Sequence, residues 1–212
     1  MPVSYSAARF AECAQQIADQ ARELAAQGWI PATSGNFSLR LDDQHVAVTA
    51  SGCNKAELTP QDVIVVDLAG QPLHRDGPRP SAETLLHTQI YRRFESAGAI
   101  LHTHSLAQTL ASRVFASQQR LVIEGYELLK AFAGYSTHLE RIVIPVFANS
   151  QDMDELAQAI DDYLAAERIH HVYLIDGHGA YAWGATMADA RRHLDALEFL
   201  LRCELEMRRL NA

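Results

Sequence analysis

Apolar side chains recur every three or four residues between Ser6 and Gln27, at Phe10, Ala14, Ile17, Ala21 and Leu24. That spacing lays one buried stripe along a helix, and Gly28 supplies a C-terminal stop. The period then changes to two. "FSLRL" and "HVAVTA" alternate around "DDQ" as the arms of a β-hairpin, and "VIVVD" is a further short strand. Between them "LTPQD" offers Thr59 as an N-cap with Pro60 at the first helical position. The three-four period returns in "SAETLLHTQIYRRF", where Leu86, Ile90 and Phe94 share a face, and predicts a helix opening at Ser81. "AILHTH" reads as a buried strand, followed by a short helix over 106–114, the strand "LVI", a helix around "YELLKAF", the strand "RIVIPV", a helix over 152–166 and the strand "VYLI". A long helix over 187–209 closes the chain, with Leu194, Leu197, Leu201 and Leu205 along one side. Helices and strands alternate without repeats or a linker-like break, which predicts a single α/β domain over 1–212, a central mixed sheet with helices on both sides.

Composition narrows the function. The 212 residues are 48% hydrophobic, enough for one sizeable core, and the formal net charge is −8. Such a chain presents no basic face to a nucleic-acid backbone or an anionic membrane, so neither is expected as a partner. An anionic substrate must instead be held locally, by backbone N–H groups, a metal or a few placed cations. Cys13, Cys53 and Cys203 are odd in number and widely separated, which fits reduced thiols. The first residues contain no apolar run of signal-peptide length, and no stretch of eighteen apolar residues occurs. A cytoplasmic location is the expectation.

Candidate chemistry gathers at strand ends. On a strand, His102 and His104 project from the same face, close enough to share one divalent metal, although such a pair also serves simply as two hydrogen-bonded histidines. His178, between Gly177 and Gly179 after "VYLI", is a third imidazole that a tight turn can push into a cavity, or leave exposed. Three histidines with an open fourth position suit zinc. "ATSGNFSLR" offers hydroxyl, amide and backbone donors at Ser34, Gly35 and Asn36, and "TASGCNK" repeats the pattern at Ser51 and Gly52, with Lys55 as a cation. Ser81 adds the N–H groups of a helix start, and together these turns suggest a phosphate site, though each alone is also an ordinary turn. Two carboxylates complete the set. Glu83 sits in the first turn of the Ser81 helix, where a negative charge also suits the helix dipole. Glu127, in "EGYELLK", has apolar neighbours that can raise its pKa towards neutrality for proton transfer, or lies on a solvated surface.

The ordered combination "SGNFSLRL", "VTASGCNKAELTPQD", "PSAETLLHTQIYR", "AILHTHS", "GYELLKA" and "LIDGHGAYAWG" resembles the zinc-dependent class II aldolase and adducin-head family over nearly the whole chain. The resemblance implies a three-layer fold with a central, mainly antiparallel nine-stranded sheet, a homotetramer, and one Zn2+ per subunit held by His102, His104 and His178. It also implies a small sugar phosphate as substrate, bound at Ser34, Gly35, Asn36, Ser51, Gly52 and Ser81, with Lys55 added. Glu127 matches the acid/base carboxylate of the family's dehydratases, and Glu83 the acid/base or auxiliary metal ligand of its sugar-phosphate aldolases. The dehydratase match ranks first. Aldolases and 4-epimerases of the family use a tyrosine near the C-terminus, and "EMRRLNA" has none. A non-catalytic adducin-head module, which lacks the metal, is the alternative outside catalysis, and no HExxH motif supports a zinc hydrolase.

Overall fold

The structure, a computed structural model, describes residues 5–74, 76–167 and 171–211. Helix α1 (Ala7–Ala26) is capped by the Ser6 hydroxyl and ends where Gly28 turns to positive φ. The hairpin β1 (Asn36–Arg40) and β2 (His45–Thr49) and the strand β3 (Val63–Asp67) follow. Next come α2 (Thr84–Arg93), β4 (Ala99–Thr103), α3 (Leu106–Phe115) and β5 (Arg120–Glu124). The chain finishes with β6 (Arg141–Phe147), α4 (Met153–Ala166), β7 (Val172–Ile175), β8 (Gly179–Gly184) and α5 (Met187–Leu210).

Among the described residues the strands form one eight-stranded sheet in the order β3-β2-β1-β4-β8-β7-β6-β5, one strand fewer than the nine that the resemblance implied. Every neighbouring pair is antiparallel except β6 and β7. The expected α/β architecture is therefore present, with a mixed but mainly antiparallel sheet.

Period-two alternation divides the side chains between two cores. Phe37 and Leu39 of β1, Ala99 and Leu101 of β4, and Ala180 and Ala182 of β8 pack with α1, α3 and α5. The intervening Ile100, Tyr181 and Trp183 pack with Leu86, Ile90 and Tyr91 of α2 and with α4. The positions of β1 and β4 that face α2 near their ends are Asn36, Ser38 and His102, which are polar yet buried.

Two readings of the pattern need correction. The helix predicted from Ser81 begins at Thr84, because the Ser81 hydroxyl accepts from the Glu83 N–H at 3.3 Å and the Ser81 carbonyl from the Thr84 N–H at 3.0 Å, closing a separate turn first. "YELLKAF" supports only a 3-10 turn over Glu127–Ala131, whereas "TPQD" forms a short 3-10 helix over Pro60–Asp62 with Thr59 as N-cap and Pro60 at its first position, as the pattern predicts. "GAYAWG", to which the pattern assigns no element, is the strand β8.

His193 of α5 is buried, with Nδ1 donating to the Trp183 carbonyl at 2.7 Å and Nε2 accepting from the Ala133 N–H at 3.1 Å. Both bonds need the neutral ring, and burial lowers its pKa. The unfolded chain takes up this proton near pH 6.5, whereas the folded chain resists it, so stability present above that pH falls as the solution is acidified. Urea melts of the metal-free protein are expected to show lower stability at pH 5 than at pH 7, with a smaller difference in His193→Phe. Equal pH dependence in both would refute the assignment.

Candidate active site

The site forms where β1, β4 and β8 lie side by side. Asn36 pairs with His102 across β1 and β4, and Thr103 with Ala180 across β4 and β8. His104 continues beyond β4, its N–H donating to the Trp29 carbonyl at 2.7 Å, and His178 leads into β8. The three rings meet. His104 Nε2 lies 2.7 Å and His178 Nε2 3.3 Å from His102 Nε2.

Two glycines make this approach possible. A Cβ on Gly179 would stand 2.1 Å from the Thr103 carbonyl oxygen, so any other residue drives β8 away from β4. Gly35 has φ +79°, and a Cβ there would stand 2.8 Å from the His102 carbonyl oxygen.

The donor set fits a divalent cation. His102 donates Nδ1–H to the Ala180 carbonyl at 2.9 Å, which leaves its Nε2 lone pair facing the other two rings. Without a cation, these nitrogens need protons between them to relieve lone-pair repulsion, and a cation replaces those protons. Burial, with help from the neighbouring rings, lowers the pKa of His102 to about 4 and of His104 to about 3, so both are neutral near pH 7, the form able to ligate a metal. Nδ1 of His178 is buried without a hydrogen-bond partner. Glu83 supplies negative charge beside the cluster, its carboxylate 3.1 Å from His178 Nε2 and 3.4 Å from His102 Nε2. Burial opposes ionisation of Glu83, but the imidazoles of His102 and His178 and the Asn36 amide outweigh it and hold the carboxyl far below the usual range. Turned towards these groups, Glu83 occupies the N-cap position of α2 without capping it.

The predicted phosphate turns also converge on this end of the sheet. Asn36 donates its amide to Glu83, the Ser51 N–H donates to the Arg79 carbonyl at 2.8 Å, and Ala50 bridges to Pro80, which sets the Ser51–Gly52 turn against the Ser81 turn. The N–H groups of Ser34 and Ser51 are already bonded, so hydroxyls carry more of any anion contact than the sequence reading implied. The Ser34 hydroxyl is buried and has no partner. Gly52 has φ +77°, and a Cβ there would meet nothing within 4 Å, so this turn faces open space. Lys55 departs from expectation: it is 3% exposed, and its ammonium turns inward to the Cys53 carbonyl at 2.9 Å.

Glu127 does not join the histidines within one chain. It is exposed, bonded to Lys130 and 3.6 Å from His138, and the Lys130 hydrogen bond lowers its pKa rather than raising it. The pattern reading missed His87, whose ring bonds to both Asn36 and Ser38. Its four-residue spacing from Glu83 was the available signal.

A family model described as Class II Aldolase and Adducin N-terminal domain matches residues 15–205. The chain belongs to this family. Among its relatives, a protein of Stenotrophomonas maltophilia named methylthioribulose-1-phosphate dehydratase is 60% identical over 97% of this chain and 96% of its own length. A Xanthomonas campestris protein of the same name is 56% identical over 100% and 96%. Among solved structures of this fold, the L-fuculose-1-phosphate aldolase of Thermus thermophilus aligns with a TM-score of 0.68 and 30% identity over 96% of this chain and 97% of that one. A Klebsiella pneumoniae protein titled a putative aldolase/epimerase/decarboxylase reaches a TM-score of 0.78 at 23% identity over 92% and 89%, a likeness of fold.

Gly179→Ala is expected to cost about 1–3 kcal/mol in stability through overpacking and to lower metal retention by parting His178 from His102. Thermal melts and metal analysis check both, and a variant with wild-type stability and metal content would refute this role of Gly179.

Proposed function

We propose that this chain is a zinc-dependent dehydratase that converts 5-methylthioribulose 1-phosphate into 5-methylthio-2,3-dioxopentyl phosphate and water, a step of methionine salvage. The observation that carries the reading is the meeting of three imidazole nitrogens and Glu83 beside the phosphate turns, in a chain 60% identical to a relative of that name. Zinc, bound by His102, His104 and His178, would supply positive charge that favours loss of a proton beside the substrate carbonyl. An all-imidazole set with an adjacent carboxylate suits zinc, as it also accepts manganese or iron.

The chain's own groups divide the remaining work. Ser34, Ser51 and Ser81 hold the phosphate with their hydroxyls, and Gly35 and Gly52 let the backbone approach it. Lys55, buried and bonded to the carbonyl of Cys53 directly after the Ser51–Gly52 turn, acts on the phosphate through its field. Asn36 and Glu83 fix the charge beside the histidines. Glu127 is the acid/base: it takes the proton from C3 and returns a proton to the departing C4 hydroxyl, which leaves as water. The resulting enol then moves its hydroxyl proton to C4, giving the 2,3-diketone. Because Glu127 is solvent-exposed in its own chain, it serves the site of a neighbouring copy, in keeping with a homotetramer. The net charge of −8 leaves nucleic acid and membrane surfaces outside the partner set, no described helix is long and apolar enough to cross a membrane, and the cytoplasm is the proposed location.

An aldolase or 4-epimerase of a sugar phosphate is the second reading, favoured by Glu83 at the histidines and by the likeness to the fuculose-phosphate aldolase. Purified protein incubated with methylthioribulose 1-phosphate separates the two. Formation of the diketone, loss of activity on chelation and recovery with zinc are predicted. Release of dihydroxyacetone phosphate or of an epimer instead would overturn the dehydratase reading. Glu127→Gln is expected to lower kcat by at least about a hundredfold, in the range of general acid–base catalysis, while metal content stays at the wild-type level. A fully active variant would refute the role of Glu127.

A further inference from the structure

Behind Glu83 lies a buried line of hydrogen bonds whose polarity is set from one end. A carboxylate only accepts, so Asn36 presents its Nδ2–H to Glu83 and turns Oδ1 towards His87 Nε2. That nitrogen must therefore carry the ring proton. His87 Nδ1 is then a lone pair, and it accepts from the Ser38 hydroxyl at 2.7 Å, while Ser38 Oγ accepts from the Tyr91 hydroxyl at 2.9 Å. Every donor points towards the carboxylate. Asn36, Ser38, His87 and Tyr91 are all 3% exposed or less, so water cannot substitute for a lost partner.

We propose that His87 is a positioning residue that locks the Asn36 amide with its N–H towards Glu83 and thereby holds the carboxylate against His102 and His178. The proposal deepens the functional reading above, since it assigns the support of that same site. Without the His87 N–H, the Asn36 amide is free to turn over and face the carboxylate with its oxygen, which replaces a charge-assisted hydrogen bond by repulsion between two acceptors. Burial supports the arrangement, because it lowers the pKa of His87 to about 4 and so preserves one neutral tautomer across the working pH range. Ser38 and Tyr91 select that tautomer from the far side.

His87→Phe removes both ring bonds but keeps a planar ring, His87→Gln retains an N–H for Asn36, and Ser38→Ala removes the bond that selects the tautomer together with the one from Tyr91. Crystal structures of the variants and the wild type, with kcat and KM for methylthioribulose 1-phosphate, form the test. In His87→Phe the Glu83 carboxylate is expected beyond hydrogen-bond distance of His178, with kcat lowered at least about tenfold, as for loss of a supporting partner to a metal site, and KM unchanged. His87→Gln is expected to restore most of both. Glu83 in its wild-type place in His87→Phe, or a displaced Glu83 with unchanged kcat, overturns the proposal. If neither His87 variant folds, Ser38→Ala decides by the same two measurements. Should the wild type leave methylthioribulose 1-phosphate untouched, the dehydratase reading falls, and the crystallographic comparison alone decides on His87.

Discussion

The antiparallel register between β4 and β8 is the constraint on which the rest of the site depends. It opposes Thr103 to Ala180 and so brings His102 within 3.3 Å of a residue 76 positions later in the chain. Nothing intrinsic draws the imidazoles together: when protonated they repel, and their burial disfavours charge. The ladder of backbone hydrogen bonds and the apolar residues on both faces of the sheet impose that proximity, and a bound cation turns it to advantage. A small residue at Gly179 is therefore a requirement of the histidine cluster as much as of the sheet.

The same alternation that builds the core also builds the support for the histidine cluster. Along β1, Phe37 and Leu39 enter the core beneath α1, while Asn36 and Ser38 face α2. Along α2, the side that buries Leu86 and Ile90 also presents His87 and Tyr91 to those polar groups. Polar groups enclosed in this way are costly unless each finds a partner, and here they satisfy one another in sequence from Tyr91 to Glu83. Chemistry and packing share one interface, so changes in the second layer are felt at the first.

The sequence made legible what depends on short spacing. His102 and His104 followed from strand period two, and His178 from its two glycines after an apolar run. Longer-range consequences were not legible. The start of α2 shifts to Thr84 because Ser81 and Glu83 close a turn of their own, with the Glu83 side chain drawn to histidines distant in sequence. Strand β8 escaped notice because glycine and alanine occupy four of its six positions and carry weak strand propensity. His87 reads as a core position on a helix; its partners Asn36 and Ser38 lie 51 and 49 residues away, and only the fold brings them into contact. The role proposed for Glu127 came from family resemblance, and a single chain leaves this residue in solvent.

The most direct test of the central claim, that His102, His104 and His178 together grip one divalent cation, is zinc K-edge X-ray absorption on protein loaded with zinc and freed of excess. One zinc per chain surrounded by three imidazole nitrogens at about 2.0–2.1 Å, with oxygen completing the set, is the predicted result. Failure to retain zinc, or a spectrum with sulfur neighbours or fewer than three imidazoles, would contradict it.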